Sequence, residues 1–361
     1  MPGRFVLLDP VLIALVVLAV RNRGWHLTSP WALASVSAVT AMGLALAVHP
    51  SLEGALLTAR FCGAVALAWT IWRASADGHF SCARSVLVAT ALEIVVVCLQ
   101  RAHGGPVGLG VLGERQQAFY LQGRVPVPRG TFSHPYVLTG FLLAAVGITY
   151  GERVRWTPVW FAAVGAVIGC TFSRSAVLAL LVFTVVAATR WRDGDRMTAA
   201  AVGALLAAVI AVAIVSLSGW QARSHQTWTS TTADEVSSYR VTAARDAVHL
   251  IAAHPLFGFG PGNAMGPAAA SRYADRSVDL AHDVPLLLAA EAGIPVGLLA
   301  VAAVAAASHL VRRAGWSATF VFVSYLPFIL FDNFPYATPQ GLAITAVWCG
   351  ALGSLLSTGV S

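Results

Sequence analysis

Apolar stretches of roughly 15–25 residues recur along the whole chain, with few charges interrupting them. A helix that crosses the hydrocarbon core of a bilayer needs about 20 mainly apolar residues, with a range of about 17–25. Eleven stretches approach that length: residues 5–20, 31–48, 54–73, 84–100, 135–150, 157–171, 175–190, 198–217, 284–308, 316–331 and 340–357. Only 11% of the 361 residues are charged, against roughly 25% in a soluble domain. A water-soluble core does not require such a deficit, whereas hydrocarbon does, because each charge placed there costs several kcal/mol. The expected fold is therefore all-α: a polytopic helical membrane protein of about 11 (10–12) transmembrane helices. Because the runs cover its whole length, residues 1–361 are expected to form a single integral membrane domain.

All 23 basic residues are arginine, and the net charge is +7. In a membrane protein a basic excess belongs to cytoplasmic loops, so nucleic acid is not an expected partner. One alternate set of short loops carries Arg21 and Arg23, Arg73 and Arg84, Arg153 and Arg155, Arg190, Arg192 and Arg196, and Arg312 and Arg313. The opposite set carries only Arg174, so the first set is read as cytoplasmic. The N-terminus is then outside and the C-terminus inside. Segments 101–134 and 218–283 fall outside, and 218–283 is the large periplasmic or extracellular loop. Within it Val236 to Ala253 reads as an amphipathic helix, with Ser237 or Ser238 as cap and His254-Pro255 as terminator. The turn Gly258-Phe259-Gly260-Pro261-Gly262 follows. It contains G-x-G without a preceding strand, which argues against a dinucleotide site. The five cysteines show neither metal-ligand spacing nor a disulfide framework and are assigned to packing. The run Phe5 to Val20 lacks a small-residue cleavage site and reads as a spanning or anchoring helix.

With this topology the residues able to do chemistry crowd the outer ends of helices. They are Arg129, Thr131 and His134-Pro135, Ser173-Arg174, Arg240 and Arg245, His282-Asp283, and Asp332-Asn333. Each has a plain structural alternative. His134 and Asp332 can cap their elements, Arg174 can anchor two short helices at the interface, and Arg240 can be a solvated charge. Three charges fall inside predicted spans: Arg60, Glu93 and Glu291. An unpaired charge there is costly, so Arg60 is expected to pair with a carboxylate, Glu93 being the nearest in sequence.

The stretches Arg129-Gly-Thr-Phe-Ser-His134-Pro135, Thr171-Phe-Ser173-Arg174-Ser175 and Arg240 with His254-Pro255-Leu-Phe-Gly258-Phe-Gly260 carry a family resemblance. So do Ala281-His282-Asp283 with Glu291-Ala-Gly293-Ile294, and Phe331-Asp332-Asn333 with Thr338-Pro339-Gln340-Gly341. In this order they resemble the O-antigen ligase and polymerase family of bacterial envelope glycan enzymes, over roughly 129–350. Asp283 departs from the Asn often found there.

The resemblance implies a multi-pass protein of the plasma (inner) membrane that is active on its periplasmic or extracellular face. It implies transfer of a glycan from an undecaprenyl-diphosphate-linked donor to an acceptor hydroxyl, without metal or other cofactor. Partners would be the polyprenyl-diphosphate-linked donor, a glycan, lipid or protein acceptor, and membrane lipid. His282 and Arg240 are the implied catalytic residues. Arg174 matches a diphosphate-holding position, with Arg129, Arg245, His134 and Asp332 as further donor or glycan contacts. The chemistry agrees: a guanidinium bonds phosphate oxygens bidentately and stays charged, and an imidazole takes a proton near neutral pH. Within the same family a repeat-unit polymerase is the alternative. A transporter of lipid-linked glycan or small solute is the competing class, disfavoured because no internal repeat or midplane polar site is apparent.

Overall fold

A computed structural model describes residues 30–117, 120–121, 125–151, 157–192, 196–217, 219–221, 240–265 and 281–359. Thirteen helices succeed one another within them. The first seven are α1 (Pro30–Val48), α2 (Leu52–Ala76), α3 (Cys82–His103), α4 (Pro135–Gly151), α5 (Thr157–Cys170), α6 (Arg174–Arg192) and α7 (Arg196–Val215). The rest are α8 (Arg240–Ala253), α9 (Val284–Ala292), α10 (Ile294–Ala314), α11 (Trp316–Phe331), α12 (Phe334–Ala337) and α13 (Pro339–Gly359). A two-residue antiparallel ladder, Tyr120–Leu121 on Val125–Pro126, interrupts the segment between α3 and α4.

Five of these helices, α2, α3, α7, α10 and α13, are long and apolar enough to cross a membrane. Apolar helices of 10–17 residues occupy five more of the predicted spans, within α1, α4, α5, α6 and α11. The predicted first span, 5–20, lies outside the described residues, as do the first four positions of the predicted helix 236–253. One predicted span is corrected. Residues 284–308 do not form a single helix, because the chain breaks at Gly293. Gly293 has φ +93°, and a Cβ there would lie 2.1 Å from the carbonyl oxygen of Leu256. Pro295 then follows inside the first turn of α10, where a missing N–H is harmless. The long apolar helix is therefore Ile294–Ala314, with the nine-residue α9 set before it.

The chain forms two compact units, each assembled from separated segments. The first comprises residues 1–73, 231–310 and 329–350, and the second 74–230, 311–328 and 351–361. In the first, α9 packs on α8 and on α1. In the second, α5 lies closely along α7. Gly165 and Gly169 make that approach possible, being one helical turn apart on the facing side. A Cβ on Gly165 would meet the Leu205 carbonyl oxygen at 2.4 Å, and one on Gly169 would meet Val212 Cβ at 2.9 Å. This is the small-xxx-small device by which apolar helices associate where solvent supplies no hydrophobic drive. Alongside it, Tyr150, Phe161, Phe183 and Phe320 form an aromatic cluster, with Tyr150 and Phe320 centroids 4.4 Å apart.

Gly165→Val should force α5 from α7 and lower stability by about 1–3 kcal/mol. Gly203→Ala, where the added methyl meets nothing within 4 Å, should be neutral or slightly stabilising. Thermal unfolding of the detergent-solubilised variants measures both.

Candidate functional site

The chemistry of the first unit is arranged around α9. His282 is half-buried immediately before it. Asp283 is the cap, its Oδ1 accepting from the Leu286 N–H at 2.8 Å. Burial raises the Asp283 pKa, and the Leu286 N–H acts in the opposite direction. Asn and Asp cap about equally well, so the family departure at 283 preserves the interaction that holds the start of α9 beside His282.

At the other end, α9 presents carbonyls with no partner inside the helix. The glycine-rich turn supplies the missing donors. Phe259 N–H donates to Ala290 O at 2.8 Å, and Gly260 N–H donates to Glu291 O at 2.9 Å. Ile294 N–H returns a bond to Pro255 O at 2.8 Å. The turn can come this close because Gly258 has no side chain: at φ +64° its Cβ would lie 2.3 Å from the Glu291 carbonyl carbon. The Glu291 side chain, 2% exposed, accepts from Tyr336 Oη at 2.8 Å and from the backbone N–H groups of Gly262 and Ala264. One buried carboxylate thus ties α9, the glycine turn and α12 together.

Asp332, in the link between α11 and α12, is 1% exposed. Its Oδ2 lies 3.9 Å from the guanidinium of Arg240, the first residue of α8, whose side chain is 35% exposed. The contact is a salt bridge at the long limit of such pairs. Arg245 is exposed on α8. Arg240, Arg245, His282 and Asp332 accordingly belong to one unit.

Arg129, His134 and Arg174 belong to the second unit. There the C-terminal half of α3 fastens the segment that leads to α4. Glu93 and Gln100, seven residues apart, share a helix face. Gln100 Oε1 accepts from the N–H groups of Arg129 (3.0 Å) and Gly130 (2.9 Å), and its amide donates to Gly130 O (2.7 Å) and Glu114 Oε1 (2.6 Å). Glu93 accepts from the Thr131 N–H at 2.9 Å and from the Thr131 hydroxyl. Glu93 thus engages the Arg-Gly-Thr motif through both its oxygens, and Arg60 is buried on α2. The Arg129 guanidinium is buried and donates to the carbonyls of Arg115 and Gln117. His134 Nδ1 accepts from the Tyr136 N–H at 3.3 Å, and its carbonyl accepts from the N–H groups of Val137 and Leu138 at the start of α4.

Arg174 is half-buried as the first residue of α6, after a turn in which Phe172 takes φ +51°. A non-glycine residue seldom adopts that conformation. Ser173 Oγ accepts from the Ala176 N–H at 3.3 Å and caps the helix. Phe172 packs edge-on to Trp220, whose indole donates to Gly169 O at 3.2 Å. A cation at a helix N-terminus opposes the macrodipole, at a cost of about 0.3–1 kcal/mol when surface-exposed. An anion bound there would reverse that cost.

Residues 158–301 match the O-antigen ligase family. Over that segment the chain is similar to O-antigen ligases. The matched segment contains Arg174, Arg240, Arg245, His282 and Glu291, and leaves Arg129, His134 and Asp332 outside. No curated protein matches the chain. The ligase-like segment and the apolar helices together support a multi-pass membrane protein with a glycan ligase- or polymerase-type function.

Two site-building residues had no role assigned from sequence. Tyr336 lies between prolines in a four-residue helix, with no periodic signal to mark it. Glu114 stands in a glycine-rich loop, but its carboxylate accepts from the N–H groups of Val107 (2.9 Å) and Leu109 (2.6 Å). Burial opposes its ionisation, yet the donors from Val107, Gln100 and Leu109 outweigh burial and hold its pKa below the usual 4.5.

Two outcomes follow from these bonds. Tyr336→Phe removes one donor from the buried Glu291 and should cost about 1–3 kcal/mol, read as a lowered thermal midpoint. For Glu114 the folded-state pKa lies below the unfolded one, so its contribution is complete above the unfolded value. It is lost as pH falls through the folded pKa. Glu114→Gln should therefore lower the thermal midpoint at pH 7, and its difference from wild type should vanish in strongly acidic buffer.

Proposed function

We propose that the chain is a membrane glycosyltransferase of the ligase type. It moves a glycan from an undecaprenyl-diphosphate-linked donor to an acceptor hydroxyl on the periplasmic or extracellular face of the plasma membrane. The observation that carries this reading is the ligase-family match over the segment that holds Arg174, Arg240 and His282. The Arg240–Asp332 pair supports it, because a buried carboxylate orients a half-exposed guanidinium without sealing it off. The ten described apolar helices, with residues 5–20, would form the eleven spans.

In the proposed reaction the Arg240 guanidinium holds the donor diphosphate through charge-assisted bonds to its phosphate oxygens. The acceptor hydroxyl oxygen attacks the anomeric carbon as His282 takes its proton. The bond between that carbon and the diphosphate oxygen breaks, and its electron pair leaves with polyprenyl diphosphate. Negative charge grows on the leaving oxygen in the transition state, so cations fixed there favour the transition state over the ground state. Asp332 would aim Arg240. Arg129 and His134 would act at one remove, because their polar groups hold the loop and the start of α4. A polymerase would use the same steps with a second lipid-linked glycan as acceptor.

His282→Ala should lower the transfer rate by about 10²–10⁴-fold, the usual contribution of a positioned base. Arg240→Ala should also abolish measurable transfer, and Arg240→Lys should restore only part of it, since an ammonium lacks the bidentate fork. The assay is transfer from lipid-diphosphate-linked glycan by purified protein, normalised to folded protein. Wild-type rates in both alanine variants would remove the site assignment.

A further inference from the structure

We infer that α8 and the turn after it lie in the membrane interface, with Leu256 and Phe257 entering the acyl region of one leaflet. The inference concerns a surface outside the transfer chemistry and rests on α10 being a membrane span.

The two sides of α8 differ sharply. Ala243 and Ala247 are buried, and the helix packs on α9. Val241, Arg245, Val248 and Ala252 are exposed at spacings of four, three and four, which set them in one stripe. The stripe runs into Leu256 and Phe257, 66% and 42% exposed at the tip of the turn. Polar residues would suit a solvated loop tip, and neither is polar.

Backbone bonds set the level of this tip. Ile294, the first residue of α10, donates its N–H to Pro255 O. Gly293 lies against the Leu256 carbonyl, and Gly258 N–H donates to His254 O at 3.0 Å. Leu256 and Phe257 therefore stand at the level of the first turn of α10. The exposed face of α10 continues as Ile294, Leu298 and Val301. Leu298 is only about 6 Å further along the axis at 1.5 Å per residue. In a helix that spans the bilayer, that face meets lipid and its first turn sits at the interface. The tip cannot stand off in water while its backbone is bonded there.

Arg245 fits the same placement. Between two valines on the exposed stripe, its long side chain can lay its methylenes on the acyl boundary and raise the guanidinium to the phosphate layer. This gives Arg245 a phospholipid partner in place of the donor diphosphate. It also makes the glycine turn a bridge between the leaflet and the end of α9.

The test uses the wild-type chain in phosphatidylcholine vesicles. Carbene footprinting is run with a bilayer-soluble diazirine and, separately, a water-soluble one, with modified residues mapped by mass spectrometry. The bilayer-soluble reagent should modify Leu256 and Phe257 within about threefold of Leu298, and the water-soluble reagent should spare them. Modification of Leu256 and Phe257 by the water-soluble reagent alone, with Leu298 still labelled from the bilayer, would overturn the inference and leave α10 a span. Absence of bilayer labelling at Leu298 as well would overturn both. A Leu256→Asp, Phe257→Asp double variant gives a second reading. Unchanged bilayer labelling of the Val241–Ala252 stripe in that variant would also count against the interfacial placement.

Discussion

A helix that ends among apolar groups has to satisfy its last carbonyls, and in the first unit this need organises everything around it. The α9 helix stops at Ala292, and the carbonyls of Ala290 and Glu291 are met by N–H groups from the Phe259-Gly260 turn. Such close backbone contact is open only to residues without a Cβ, hence Gly258 on one side and Gly293 on the other. Glu291 extends the arrangement from backbone to side chain through Gly262, Ala264 and Tyr336. A buried carboxylate is tolerable only with several donors, and these donors come from different segments. His282, Arg240 and Asp332 each stand on or next to a segment that converges on this helix end.

The second unit solves the same problem from the helix side. Glu93 and Gln100 project from one face of α3 and bond the backbone of Arg129, Gly130 and Thr131. The loop thereby gains partners for groups that would otherwise be buried unpaired. Arg129 then fastens residues 115 and 117, and His134 opens α4. Several polar residues that mark the motif are thus held by, or hold, backbone. Arg174 differs, since it heads a helix after a strained turn at Phe172 where an anion would be welcome.

Much of this was legible in the sequence because it depends on period and punctuation. Long apolar runs gave the helical membrane character, and His254-Pro255 gave the end of α8. Other features escaped because they depend on approach between distant segments. The break at Gly293 looks like one glycine in an apolar run, until Leu256 is seen against it. Thr131 brings Glu93 both a backbone and a side-chain donor from 38 residues away, an approach with no local signal. Gly165 and Gly169 carry a readable small-xxx-small spacing, but their partner helix is not written in the local sequence. Tyr336 could not be found at all without the fold, because its importance lies wholly in reaching Glu291.

Arg240 and His282, to which we assign anion binding and proton acceptance, stand on segments tied together by backbone bonds at the end of α9. The most direct measurement is a stoichiometric one on purified wild-type protein in vesicles supplied with polyprenyl-diphosphate-linked glycan and acceptor. One free polyprenyl diphosphate should be released for each glycan that becomes covalently attached to acceptor. Donor that crosses the bilayer intact, with no diphosphate released and no acceptor modified, would contradict transfer and make the chain a transporter.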